Sequence, residues 1–507
     1  MTSIHPSTEP FPMRISIQSR ECSTAVLERL PGSTLFPERP IGAAIVSALH
    51  RPQGSVICVA APGMVEADDQ IEYFLRLGMA TTRQVDPRPP RDRVTVLSIE
   101  DQSSRWLSEK LLDVDHPDAV AACEHLRAAV ERERRAGRNV MLNYFEPSAR
   151  LERLADCLGV VGDQAPSWAI PLGTKASGRD IFRALQIPVA AATAPVRNLG
   201  ELAAAMEPLV HEGRRRFVLK LDSTEYGAGM GNAFFDIDEE MAADLPAAIA
   251  ACLPHAQVVD PKFGWSGFSA AVPQAGVLAE ELITGEEFRS PSVQGKLTPD
   301  GPQIVSTHEQ VLAPNRQTYT GSVFPAAEPY RMLIAEYGQR VGKALHDKGI
   351  NCGDYGVDFI VVSRNGRWHV FACELNLRAT GTRHGFDMVT NLLGTTPDLD
   401  GELHVDGERR VYFASDSITS ERYVGLRPRA LIEAVERSPL HYDPARQQGV
   451  ILHLLSTLPR YGKFGAICVA DSAEVAERMM EDLRVIALNL SDKCLVLGAQ
   501  SESTDSI

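Results

Sequence analysis

The segment Asp354–Arg378, DYGVDFIVVSRNGRWHVFACELNLR, decides how the whole chain is read. Two runs rich in β-branched and aromatic residues flank Asn365 and Gly366, a pair that accepts the left-handed backbone angles of a tight hairpin turn. Side chains alternate across a strand, so Glu374, Asn376 and Arg378 share one face of the second run. A two-residue turn would set Asp358 opposite Cys373. A three-residue loop, Asn365 to Arg367, sets Asp358 opposite Glu374. The second register is expected, because it gathers Asp358, Glu374 and Asn376 into one oxygen cluster on a face otherwise lined by Ile360, Val362, Val370 and Ala372. Such a cluster on an apolar face is costly without a cation, and carboxylate and amide oxygens are the hard ligands that Mg²⁺ takes. Arg378 adds a fork of N–H donors suited to a phosphate or a carboxylate.

Two further motifs lie upstream. In FVLKLDSTEYGAGMGNAFF, Phe217–Phe235, a β-type run contains Lys220 and leads into a loop with glycines at 227, 229 and 231. Glycine lets several backbone N–H groups turn toward one anion, and a lysine beside them adds a point charge for phosphate. The lysine precedes the glycines, so this is not a Walker loop. Only nine of the 51 basic residues are lysine, which makes Lys220 stand out. In VLAEELITGEEF, Val277–Phe288, Glu280 ends an apolar strand and Glu287 follows a turn at Gly285. A strand edge of this kind can offer backbone groups to an adenine, and a carboxylate after the turn can accept ribose hydroxyls.

The rest of the chain bounds these readings. At 507 residues it should form about three domains. Its net charge of −15 argues against a nucleic-acid or anionic-membrane binder. The nine cysteines are scattered singly, with no C-x-x-C pair, as in a reduced cytoplasmic protein. No leader pattern and no span-length apolar run is evident, so a soluble protein is expected. Residues 1–165 alternate strands and helices and predict a parallel, doubly wound sheet. Gly63 follows a buried strand without the full G-x-G-x-x-G pattern. Residues 166–400 hold the motifs above, and 401–507 form a smaller α/β region. His441 and His453 lack acidic residues at ligand spacing and are read as structural.

Together these motifs resemble the ATP-grasp superfamily of carboxylate–amine ligases. The resemblance implies a multidomain α/β and α+β fold: an N-terminal doubly wound pre-ATP-grasp domain, 1–165, an ATP-grasp core of two α+β subdomains, 166–400, and a small C-terminal α/β region, 401–507. It implies ATP and two Mg²⁺ ions, or Mn²⁺, as cofactors. Lys175 and Lys220 would contact phosphates, with Gly227, Gly229 and Gly231 closing over them. Glu280, Glu281 and Ile283 would belong to the adenine hinge, Glu287 would hold the ribose, and Asp358, Glu374 and Asn376 would bind the metals. Arg378 would contact the transferred phosphate. No arginine stands two residues before Asp358, where Gly356 sits, so Arg378, Arg383 or Arg316 must supply that charge. Arg289, His308, Arg316 and Arg383 are candidates for substrate recognition.

The arrangement along the whole chain also resembles the pheganomycin-type peptide ligases. That resemblance implies an amide bond formed through an acyl phosphate, small amino-acid or peptide substrates, no nucleic-acid or membrane partner, and a homodimer. The alternatives are a phosphotransferase that releases a phosphorylated product and a nucleotide-binding regulator without turnover.

Overall fold

The computed structural model describes residues 11–22, 24–29, 32–226, 231–237, 244–314 and 317–504, without the side chains of 25, 26 and 493–504. The first sheet contains β1 (Met13–Ile17), β2 (Ser55–Ala60), β3 (Val94–Ser98), β4 (Val140–Tyr144) and β5 (Val161–Gly162) in the order β3-β2-β1-β4-β5. All four pairings are parallel, and the order reverses direction at β1, as the alternation of strands and helices predicts. The second sheet contains β6 (Arg216–Leu221), β7 (Asn232–Asp236), β8 (Gln257–Val258) and β9 (Val277–Glu281), antiparallel in the order β8-β7-β6-β9.

The third sheet is larger. It contains β10 (Glu287–Arg289), β11 (Pro291–Thr298), β12 (Gly301–Leu312), β13 (Tyr319–Phe324), β14 (Gly353–Arg364) and β15 (Arg367–Asn376). It continues through β16 (Leu403–Val405), β17 (Glu408–Thr419), β18 (Gly449–His453) and β19 (Lys463–Ala470). Because β13 pairs with β17, the sheet crosses residue 400 without a break in hydrogen bonding.

The β14–β15 hairpin departs from the expected loop. Arg364 opposes Arg367, so the turn has two residues, Asn365 (φ 52°) and Gly366 (φ 70°), both left-handed as such a turn requires. Nevertheless Asp358 opposes Glu374 and Gly356 opposes Asn376, because the register shifts between Asp358 and Phe359. Cys373 is the extra residue of a β-bulge. The three-residue loop is therefore incorrect, while the pairing it would explain is present. The bulge also changes the neighbours of the oxygen cluster. Ile360 opposes Phe371, and these two pack with Val362, Ile283 and Ala190. Val370 and Ala372 instead join the core beneath helices Lys175–Ala184 and Glu328–Asp347.

Apolar burial ties the ends of the chain together. Helix Ile41–Leu49 shares one core with helix Arg383–Leu393 and with β17, β18 and β19. Among the described residues, no helix is long and apolar enough to cross a membrane. Within this seam Glu38 is 4% exposed. One oxygen accepts from the Ser456 amide at 3.0 Å, and the other has no partner. Burial pushes its pKa from 4.5 up to about 7, against the pull of the Ser456 hydrogen bonds. Folding thus favours the protonated acid, and this contribution to stability is present below about pH 4.5 and lost as pH rises to about 7. A shift of this size corresponds to about 3 kcal/mol. Glu38→Gln should therefore gain stability over the parent as pH rises across that interval, by up to about 3 kcal/mol in urea denaturation. Parallel pH profiles for the two proteins would show that Glu38 titrates normally.

Candidate active site

A cavity of about 870 Å³ opens between the four-stranded sheet and the β14–β15 hairpin. Lys175 reaches it from the first turn of helix Lys175–Ala184, where the Thr174 hydroxyl caps the helix by accepting from the Ser177 amide at 3.3 Å. The Ala176 amide donates to Asp222 Oδ1 at 2.8 Å, which fixes the helix start against the end of β6. From this position Lys175 Nζ meets Glu374 Oε1 at 2.6 Å.

Lys220 enters from the opposite wall, on β6. Its Nζ lies 3.0 Å from Glu280 Oε2 and 3.4 Å from Cys373 Sγ. Burial works against its charge, but Cys373 and the Glu280 and Glu374 carboxylates outweigh burial and hold Lys220 above the ordinary lysine range. Glu280 is itself buried between two cations, Lys220 and Arg179 Nη1 at 3.1 Å. Its side chain is thus an ionic anchor for Lys220.

Asp358, Glu374 and Asn376 converge between the lysines. Asp358 Oδ2 accepts from Asn376 Nδ2 at 3.0 Å, and Oδ1 accepts from Gln310 Nε2 at 2.7 Å. Burial and the opposing Glu374 carboxylate push Asp358 up to about 7. Burial pushes Glu374 the same way, yet Lys175, Arg378 and Lys220 hold it below the ordinary range. Two half-buried carboxylates that face each other across the hairpin, with the Asn376 amide beside them, suit a hard divalent cation, which would relieve the repulsion between Asp358 and Glu374. The residues present therefore fit Mg²⁺.

The other expected residues divide. Ile283 is buried on the cavity wall, and Glu281 lines the cavity with its carboxylate on Arg214 Nε at 3.0 Å. Gly231 stands where the chain enters β7, and a Cβ there would lie 2.7 Å from Tyr226 Cβ. Gly227, Gly229 and Arg316 lie outside the described residues. Arg378 lines the cavity, and its Nε is 3.3 Å from Glu146 Oε1. A side chain at Gly356 would meet Thr380 Cγ2 at 2.6 Å from its Cβ, which explains why no arginine occupies that position.

The remaining residues lie away from the oxygen cluster. Glu287 is exposed and pairs with Arg289 at 2.9 Å, while its strand neighbour Phe288 turns into the cavity. This placement supports neither a ribose role for Glu287 nor a recognition role for Arg289. Arg383 is not at the oxygen cluster. Its Nη1 is 2.5 Å from Asp354 and its Nε 2.9 Å from Asp387, in a separate ionic cleft against the N-terminal sheet. His308 is buried, with Gln294 at 2.8 Å and Tyr412 at 2.6 Å on its two ring nitrogens, and burial drops its pKa to about 3. It belongs to the core. Finally, His453 does have an acidic neighbour, Asp416 at 3.7 Å, which strand pairing brings in from a distant segment.

Sequence reading misses Arg20, Arg39 and Phe145, which line the cavity from the N-terminal region. It also misses Gln310 on β12 and Cys373 in the bulge. No local motif marks any of them.

The two sheets facing each other across a cavity that holds these lysines and carboxylates define an ATP-grasp fold. Solved structures agree. Biotin carboxylase from Campylobacter jejuni, determined as a β,γ-ATP complex, superposes with a TM-score of 0.51 at 13% identity, covering 95% of this chain and 94% of that one. The ADP complex of N5-carboxyaminoimidazole ribonucleotide synthetase gives 0.50 at 14%, covering 93% and 96%. In sequence the chain is similar to the L-propargylglycine–L-glutamate ligase of Streptantibioticus cattleyicolor, 28% identical over 478 residues and 93% of each chain. A family model described as the PGM1 C-terminal domain matches residues 430–483.

Proposed function

We propose that the chain is an ATP-dependent ligase that joins an amino-acid-type carboxylate to the amine of an amino acid or peptide, releasing ADP and phosphate. The observation that carries this reading is a single cavity lined by Lys175, Lys220, Asp358, Glu374 and Asn376, with Lys175 on Glu374 and Lys220 beside Cys373. Similarity over 93% of the chain to a ligase acting on two amino acids supports it. Lys220, charged and anchored by Glu280, would neutralise the phosphates, and Lys175 would share its charge between Glu374 and the nucleotide. Mg²⁺ at Asp358, Glu374 and Asn376 would supply further neutralisation of the phosphate oxygens. The substrate carboxylate would attack the γ-phosphorus to give ADP and an acyl phosphate. The amine would then displace phosphate through a tetrahedral oxyanion, which Arg378 is placed to stabilise. The partly enclosed cavity would limit hydrolysis of the acyl phosphate. We read the protein as cytoplasmic, homodimeric and active in antibiotic-type biosynthesis.

The test is phosphate release from MgATP with amino acids supplied singly and in pairs, with mass analysis of the products. The ligase reading expects phosphate only with a pair, and a product lighter by one water than the sum of the two. A phosphorylated product from one acceptor alone would replace it with a phosphotransferase.

A further inference from the structure

One part of the cavity carries more positive charge than the nucleotide reading uses. Arg39 and Arg378 flank a single aromatic ring, with their guanidinium carbons 5.6 and 5.4 Å from the centre of Phe145. Arg378 is held by Glu146, whose other oxygen already accepts from the Glu21 amide at 2.6 Å. Arg39 Nη1 is held by Asp416 at 2.6 Å, and Asp416 also faces His384 at 3.2 Å. Arg20 lines the same cavity, and among the described residues it has no ion pair. Its Nε is buried without a hydrogen-bond partner, and so is that of Arg39. Glu146 and Asp416 are thus already engaged, by Arg378 and by Arg39, and Arg378 also faces Glu374, which leaves Arg20 as the guanidinium without an ion-pair partner among the described residues. Burial and the charges of Arg378 and Arg39 press down on the pKa of Arg20, opposed by Glu146. A guanidinium stays protonated at neutral pH all the same, so the unpaired charge of Arg20 calls for an anion.

We propose that Arg20, together with Arg39, holds a carboxylate of the amine substrate that does not itself react. This rests on the ligase reading and narrows it: the amine partner is an amino acid or peptide with a free carboxylate. A carboxylate forms two parallel hydrogen bonds with a guanidinium. A carboxylate anchored at Arg20 and Arg39 would lie in the same cavity as Arg378, where its amine can face the acyl group. Arg20 acts here by binding and positioning, apart from the lysines and oxygen cluster assigned to the nucleotide.

The experiment is calorimetric titration of the full chain with L-glutamate and with L-glutamine amide, which lacks both carboxylates, and separately with MgADP. Wild type should bind L-glutamate and not the amide. Arg20→Gln should weaken L-glutamate at least ~10-fold, the order expected for a lost charge-assisted hydrogen bond. Arg20→Lys should recover part of that loss, and thermal melting of each variant verifies folding. MgADP affinity should be the same in all three proteins. L-glutamate bound equally well by wild type and Arg20→Gln, or not bound by wild type, would overturn the proposal. L-glutamate binding that depends on Arg20 without any MgADP binding would remove the ligase and leave the carboxylate pocket standing.

Discussion

Replacing Glu374 by alanine is expected to slow ATP-dependent phosphate release by at least ~10²-fold, the scale set by losing a single preorganised charge-stabilising group. Glu374 occupies the centre of the site in both charge and position. It sits opposite Asp358 across the hairpin, accepts Lys175 at 2.6 Å and contributes to holding Lys220 charged. Removing it would take away a proposed metal ligand and leave Lys175 without its partner. The variant should still fold, because Glu374 lies on the cavity side of β15 while the core beneath is formed by Val370, Ala372 and Leu375. Phosphate release is the assay, with thermal melting alongside. A folded Glu374→Ala protein with near-parental release would remove the site assignment.

Lys220→Met should weaken the apparent affinity for ATP by about 10- to 100-fold, as loss of about 1.4 to 2.7 kcal/mol from a charge-assisted contact implies. The substitution keeps much of the side-chain length and removes only the ammonium. Glu280 would not be stranded, because Arg179 still lies 3.1 Å from its carboxylate. The effect should therefore fall on nucleotide binding rather than on folding. Titration of the rate with ATP measures it, and an unchanged half-saturation point would show that Lys220 is only the partner of Glu280.

Local sequence carries some of this site and not the rest. The alternation of Glu374, Asn376 and Arg378 is a property of one strand, so the oxygen cluster is legible from the order of residues alone. Lys220 is legible because it sits at a glycine-rich strand end, whereas Lys175 is reached only through the resemblance. The bulge at Cys373 is not. The sequence permits either an extra residue in the turn or an extra residue in the strand, and both put Asp358 opposite Glu374. The pairings between the bulge and the turn tell the two apart: Phe371 faces Ile360, where Ala372 is expected, and Arg367 faces Arg364.

Arg20 and Arg39 are out of reach for a different reason. They arrive at the cavity because the N-terminal helix Ile41–Leu49 packs into the same core as β17–β19, a contact between residues hundreds of positions apart. The pairing of Asp416 with Arg39, His384 and His453 follows from the same packing. Glu287 and Arg383 stand apart from the oxygen cluster for the converse reason. Each carries the right chemistry at a plausible spacing, but strand alternation turns Glu287 away from the cavity, and Asp354 and Asp387 draw Arg383 into a neighbouring cleft.

The proposed reaction turns on a substrate carboxylate attacking phosphorus in this cavity, and oxygen tracing tests that step directly. With both carboxylate oxygens of the acid substrate labelled with ¹⁸O, the C–O–P bond that forms contains a labelled oxygen, and the amine then cleaves the C–O side of it. One label should therefore appear in the released phosphate and one should remain in the amide. Coupled product accompanied by unlabelled phosphate, or by label in AMP, would contradict the acyl-phosphate route and with it the roles given to Lys220, Glu374 and Arg378.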